Sequence, residues 1–182
     1  SFKVQSFTAE DADFMYYLPG DKYTSVESKI YSLYMNIPEK SGKFTSKNPD
    51  SFIDFQENGF KANFNEFIWK VDQDKLLLGD VNYKSTPETI ETLEDALDKQ
   101  IDGYLLISEN VSNKDLSFYA NSGEFDCQSS YLSLNGVDYI YVCDAAIFPK
   151  DKVVGISSGG ALMPINDGFL VLSKQNKYHK LY

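Results

Sequence analysis

The side chains that could do chemistry in this sequence are few and mostly acidic. There is a single histidine, His179, near the C-terminal end, and all seventeen bases are lysine. With one imidazole, a histidine-built zinc site cannot form. Without arginine, the two-point grip on carboxylates and phosphates is lost as well. Acid–base work would fall on carboxylates, lysine, tyrosine or His179. Nothing in the sequence matches a cofactor-binding motif, and no calcium-type loop of alternating aspartates is present. The expectation is a chain with no cofactor and no metal.

The most orderly set of carboxylates falls on residues 86–102, where the pattern predicts a helix. Ser85 or Thr86 would cap it, Pro87 would sit in its first turn and Gly103 lies just past its end. Ile90, Leu93, Leu97 and Ile101 would form its buried stripe. Glu91, Asp95, Asp98 and Asp102 would share another face, with Lys99 the one base inside the helix. Like charges at these spacings repel by a few tenths of a kcal/mol per pair. A solvated helix face accounts for the stripe; a docking stripe for a basic partner is the functional alternative.

Cys127 and Cys143 are the only cysteines. Asn135-Gly136 signals a hairpin across Tyr131 to Val142. A two-residue loop would set Cys143 opposite Gln128. A three-residue loop would set Cys127 opposite Cys143, close enough for a disulfide or a thiol pair. Two ordinary reduced, half-buried cysteines are the better account, and the flanking Asp126 and Asp144 argue against a nucleophile. In the same three-residue register Tyr131 faces Tyr139, with Tyr141 on the same side, a set that fits packing under another element of the fold or, as the functional alternative, a partner surface.

Gly155-Ile156-Ser157-Ser158-Gly159 matches the G-x-S-x-G nucleophile elbow, with Asp167 and His179 following in order. That motif needs a strand, a sharp turn and a helix, and Pro164 forbids a long helix there. A hairpin connection is the better account, and a phosphate cradle lacks its lysine.

The elements that must position these groups are read from periodicity. The first forty residues suggest helices: Thr8 and Asp11 as a cap before Phe14, Tyr16 and Tyr17, then Thr24 with Glu27 as a capping box. After that box Val26, Ile30, Leu33, Tyr34 and Ile37 follow helical spacing. Residues 39–50 read as a loop. From 51 to 83 the period is two, with a phase flip at Asn65-Glu66 of the kind a β-bulge makes. Leu76–Tyr83, Tyr104–Ser108, Leu116–Ala120, Val153–Ile156, Phe169–Ser173 and Tyr178–Leu181 add strands. The expected architecture is α+β. It is a single domain over 1–182 with a helical N-terminal segment (8–37) and a sheet-and-helix core (51–182). An antiparallel or mixed sheet carries two or three helices mainly on one face, and the C-terminal third is β-rich.

Composition bounds the function. Thirteen Tyr and thirteen Phe in 182 residues belong to a chain with a real core. No apolar run is long enough to span a bilayer as a helix. Net charge is −10, carried unevenly: residues 1–144 hold 25 acids and 12 Lys, net −13, and residues 145–182 hold two acids and five Lys, net +3. Such a surface repels nucleic acid and anionic membranes and attracts cations. These features point to a non-enzymatic acidic module that binds a basic protein, such as an inhibitor or immunity-type protein. The alternatives are a carboxylate-based hydrolase acting on glycosides, or a secreted or surface ligand-binding module. A cytoplasmic setting is the default, and a bridged Cys127–Cys143 pair would favour export. The oligomeric state stays open.

Overall fold

Strand-forming residues dominate wherever backbone pairing is seen. In this computed structural model, residues 4–18, 24–48, 50–80, 82–83, 102–110, 116–142 and 145–172 are described. They form fifteen strands and one short 3-10 turn, and every paired strand runs antiparallel to its neighbour. No α-helix occurs among the described residues, so the α+β expectation is corrected to an all-β fold. None of these elements is a helix long and apolar enough to cross a membrane. The expected helix over 86–102 lies outside the described residues apart from Asp102, as do His179 and the strand expected over 178–181.

The N-terminal correction has a definite cause. β1 (Ser6–Tyr17) and β2 (Thr24–Asn36) are two long strands paired to each other. Their register shifts between Ala9 and Phe14, and Asp11 and Ile30 adopt positive φ of 53° and 62°. An extra residue at a bulge moves the inward set by one position. In β2 the inward side chains are Val26 and Ser28 before the bulge, then Tyr31 and Leu33 after it. Ile30, Tyr34 and Ile37, which completed the helical pattern, are all exposed. A strand with a bulge thus imitates a period near 3.6. Thr24 and Glu27 cap nothing; they are strand residues.

β2 is the fold line of the sheet. β1 covers one edge of β2 along its length, and on the other edge Ser32–Asn36 continue the sheet into β3 (Ser41–Thr45), β6 (Glu66–Lys70), β7 (Lys75–Gly79), β10 (Ser122–Asp126), β11 (Tyr131–Asn135) and β14 (Val153–Ile156), in that order. On that same edge Val26–Ser28 continue it into β4 (Ile53–Phe55), β5 (Phe60–Ala62), β8 (Tyr104–Ser108), β9 (Ser117–Ala120), β12 (Ile140–Val142), β13 (Ala145–Pro149) and β15 (Gly168–Leu172). The two runs face each other: Phe55 of β4 meets Phe125 of β10 with ring centroids 5.1 Å apart. Phe14 of β1 packs edge-on against Phe44, Phe67 and Trp69. One large apolar cluster fills the space between, and a small second one, Ala146 and Phe148, lies under Tyr139 and Val171.

Two further expectations change with this topology. The phase flip at Asn65-Glu66 is no bulge; there the chain leaves β5 in one layer and enters β6 in the other. Tyr131–Val142 is no hairpin either, because β11 pairs with β10 and β14 while β12 pairs with β9 and β13. Residues 136–139 carry the chain between layers, anchored by the fully buried Val137, whose N–H donates to the Lys152 carbonyl at 3.0 Å. The true hairpin is one step earlier, β10 to β11, closed by residues 127–130. Residues 41–45, expected within a loop, form β3.

Candidate functional site

The outer face of the β2–β4–β5–β8 layer carries one charged row. Register sets Met15 of β1 beside Glu27 of β2, Glu27 beside Asp54 of β4, Asp54 beside Lys61 of β5, and Lys61 beside Ile107 of β8. Alternation explains it: Val26, Ile53, Phe55, Phe60 and Ala62 point into the core and are fully buried, so the residues between them must face out. The same face holds a cleft of about 330 Å³, walled by Ile30 on one side and by Asn48, Asp50 and Phe52 on the other. Ser46, Asn48, Asp50 and Ser51 on this wall are tied by their own hydroxyls and amides. Ser46 Oγ accepts from Asn48 N–H at 3.1 Å and lies 2.8 Å from Ser51 Oγ, and Asn48 Oδ1 accepts from Asp50 N–H at 3.0 Å.

The charges in this cleft are arranged around Asp54. Lys61 Nζ pairs with Glu109 Oε1 at 2.5 Å, and Lys29 Nζ pairs with Glu27 Oε1 at 2.5 Å. Lys61 Nζ also stands 5.8 Å from the centre of the Phe52 ring, within cation–π range. Asp54 is half-buried and has neither lysine to itself. Burial pushes its carboxyl above the usual aspartate range, Glu109 and Glu27 push it further, and Lys61 and Lys29 only partly oppose them. Such a carboxyl can hold a proton unusually late, or lose it to an arriving cation. Among the described residues, no group of three or more His, Cys, Asp or Glu is arranged to hold a metal ion.

The candidate residues read from sequence do not converge here. Glu91, Asp95 and Asp98 lie outside the described residues; Asp102 is exposed just before β8. Tyr131 sits on β11 with its hydroxyl over Gly155. Tyr139, in the other layer, packs on Phe148 at 5.6 Å, and burial, then Asp138, raises its hydroxyl pKa. Tyr141 of β12 is exposed opposite Ala146. The facing of Tyr131 and Tyr139 therefore does not exist. Cys127 is a free, buried thiol in the β10–β11 turn, and Cys143 lies outside the described residues.

Comparison adds no relative. No protein-family model matches this sequence, and neither the curated proteins nor the solved structures contain a match.

Gly155 and Ile156 end β14, and the residues after them turn back to an isolated antiparallel bridge between Ile156 and Leu162, while the next strand, β15, pairs with β13. Ser157 N–H and Oγ both donate to the Ala161 carbonyl, at 2.9 and 3.3 Å, and no helix follows among the described residues. Asp167 is engaged by Lys150 at 2.6 Å. The residues that do assemble, Glu27, Asp54, Lys61 and Glu109, are spread over 82 positions of sequence. The one local trace of them was a charge between core residues on each short strand, Ile53-Asp54-Phe55 and Phe60-Lys61-Ala62, with opposite signs facing across the pair.

Proposed function

We propose that this chain is a non-enzymatic binding module. Its acidic cleft over β2, β4 and β5 receives a cationic side chain from a partner protein. The observation that carries the proposal is Asp54, a half-buried carboxyl between Glu27 and Glu109 whose neighbouring lysines, Lys29 and Lys61, are paired to those two glutamates. An arriving ammonium or guanidinium would relieve that repulsion, and the net charge of −10 would steer basic surfaces toward it. Such a partner could be one that the module inhibits or neutralises. The free thiol of Cys127 suits a reducing compartment such as the cytoplasm.

The test is a titration with the amides of N-acetyl-lysine and N-acetyl-arginine, following the Asp54 carboxyl carbon by NMR. A cation that binds there lowers the pKa of Asp54 and binds less well as pH falls through it. Asp54→Asn should abolish binding of either cation, followed in both proteins at the backbone amides of residues 54 and 61. An Asp54 signal unmoved by either cation would end the proposal.

A second reading has one observation in its favour. A carboxyl of raised pKa next to two others is also what a glycoside hydrolase uses as its general acid. Turnover of chromogenic glycosides that disappears in Asp54→Asn would establish this activity in place of simple binding.

A further inference from the structure

β1 is a twelve-residue strand with one partner, β2, among the described strands. Eight of its twelve residues are exposed and only Phe14 is buried, and among the described residues no strand pairs with its far edge. An open edge offers a row of backbone N–H and C=O groups that can template another strand. β1 contains Glu10, Asp11 and Asp13 and no base. Its large apolar side chains Phe7, Met15 and Tyr17 are 48%, 47% and 51% exposed.

These features select the occupant. A second copy of the chain is disfavoured, because pairing β1 with β1 brings two sets of three carboxylates together. A segment carrying lysine or arginine between apolar residues complements both the acids and the exposed rings. Its position is also suited to the cleft. Met15 of β1 is the cross-strand neighbour of Glu27, so an added strand lies about 10 Å, two strand spacings, from β2. A lysine on it can lay its methylene stem over Met15 and point its ammonium at the Glu27 rim.

We infer that the free edge of β1 takes up an extended, basic segment of a partner protein as an added strand. This rests on the reading of the chain as a binder of basic proteins, but it does not require the cleft.

The experiment is amide hydrogen exchange on the whole chain, with a peptide of alternating lysine and valine as probe and its glutamate–valine counterpart as control. The lysine peptide should slow exchange at 6–9 and 14–17 about tenfold or more, while the glutamate peptide leaves it unchanged. Glu10→Gln with Asp11→Asn keeps the shape, since Asn accepts the positive φ at position 11. That double variant should bind the lysine peptide about fivefold to tenfold more weakly and show unchanged thermal unfolding. Protection of β1 that persists in Asp54→Asn supports the edge and removes the cleft from the account. Binding lost in Asp54→Asn, with β1 exchange unaltered by the peptide, supports the cleft and overturns the added strand. Equal slowing by both peptides overturns it too.

Discussion

Asn58 donates its side-chain amide to the carbonyl of Ser130, 2.8 Å away and 72 residues later in the chain. The same Nδ2 also reaches the carbonyls of Ser157 at 2.9 Å and Ile156 at 3.3 Å. Asn58 ends the 3-10 turn Gln56–Asn58 and is fully buried. One amide thus ties the β4–β5 connection to the β10–β11 turn and to the end of β14. Its orientation is fixed, since a flipped amide would aim oxygen at three carbonyl oxygens. Asn58→Asp does this chemically and should destabilise the fold by about 3–5 kcal/mol, as for a buried charge left without a partner. Asn58→Ala removes the donor without adding charge and should cost about 1–3 kcal/mol. Urea denaturation at neutral pH should show that order. Equal midpoints for the two variants would refute the clamp.

The loop that Asn58 holds contains a paired test. Gly159 and Gly160 both have positive φ, 86° and 81°. A Cβ on Gly159 would meet nothing within 4 Å, whereas one on Gly160 would stand 2.5 Å from the Asn58 backbone carbonyl. Gly159→Ala should therefore cost only the left-handed backbone, about 1–2 kcal/mol. Gly160→Ala must also push the turn away from Asn58, and its loss should exceed that of Gly159→Ala by about 1 kcal/mol or more. The difference between their denaturation midpoints isolates the close approach from the backbone strain.

How much of this was legible in the sequence depends on where each signal lived. Short apolar runs, such as Val153–Ile156 and Tyr104–Ser108, could be read directly. β1 and β2 could not, because the bulges at Asp11 and Ile30 shift the inward phase mid-strand and leave Ile30, Tyr34 and Ile37 outside. Asn135-Gly136 carries a strong local turn signal, yet Val137 is drawn into the core and the chain crosses layers instead of turning back. The cleft was hidden for another reason. Glu27, Asp54, Lys61 and Glu109 are neighbours only through the order in which strands pair, and that order is a property of the whole sheet. Asp54 and Lys61 alone, facing across a short hairpin, were within reach of a local argument.

Acid pH should act on two aspartates in opposite directions. Asp126 accepts from Ser129 N–H and Ser129 Oγ, both at 2.8 Å, and from Gln128 N–H at 3.2 Å. Those bonds hold its carboxyl below the usual range, so its contribution is present above the unfolded pKa and is lost as pH falls through the folded one. Asp54 lies above the usual range, so its contribution is greatest at low pH and falls away as pH rises through its folded pKa. Asp126→Asn should flatten the acid limb of the stability curve. Asp54→Asn should raise stability near neutrality by about 0.5 kcal/mol, the scale of a relieved cross-strand repulsion. A loss of stability at pH 7 in Asp54→Asn would mean that Lys61 and Lys29 outweigh Glu27 and Glu109.

Alkaline pH should find Cys127 before it finds the tyrosines. Burial, then Asp74 and Asp126, pushes this thiol up to about 12, and burial with Asp74 pushes Tyr16 to about the same value. In the unfolded chain a cysteine ionises near 8.5 and a tyrosine near 10. Between about pH 8.5 and 10 the unfolded state therefore releases the thiol proton while the folded state keeps it, and stability falls as pH rises. Cys127→Ala should lower stability at neutral pH through lost packing, yet remove most of that first slope. Above pH 10 the curve should steepen in both proteins as Tyr16 and the buried Tyr31, also held high by burial, resist ionisation in the fold. The same burial makes the native thiol inert, because only the thiolate attacks an alkylating agent. Iodoacetamide at pH 8 should label the Cys127 peptide slowly in the native protein and rapidly in urea, as read by peptide mass. Prompt native labelling would show that the β10–β11 turn opens far more often than its packing implies.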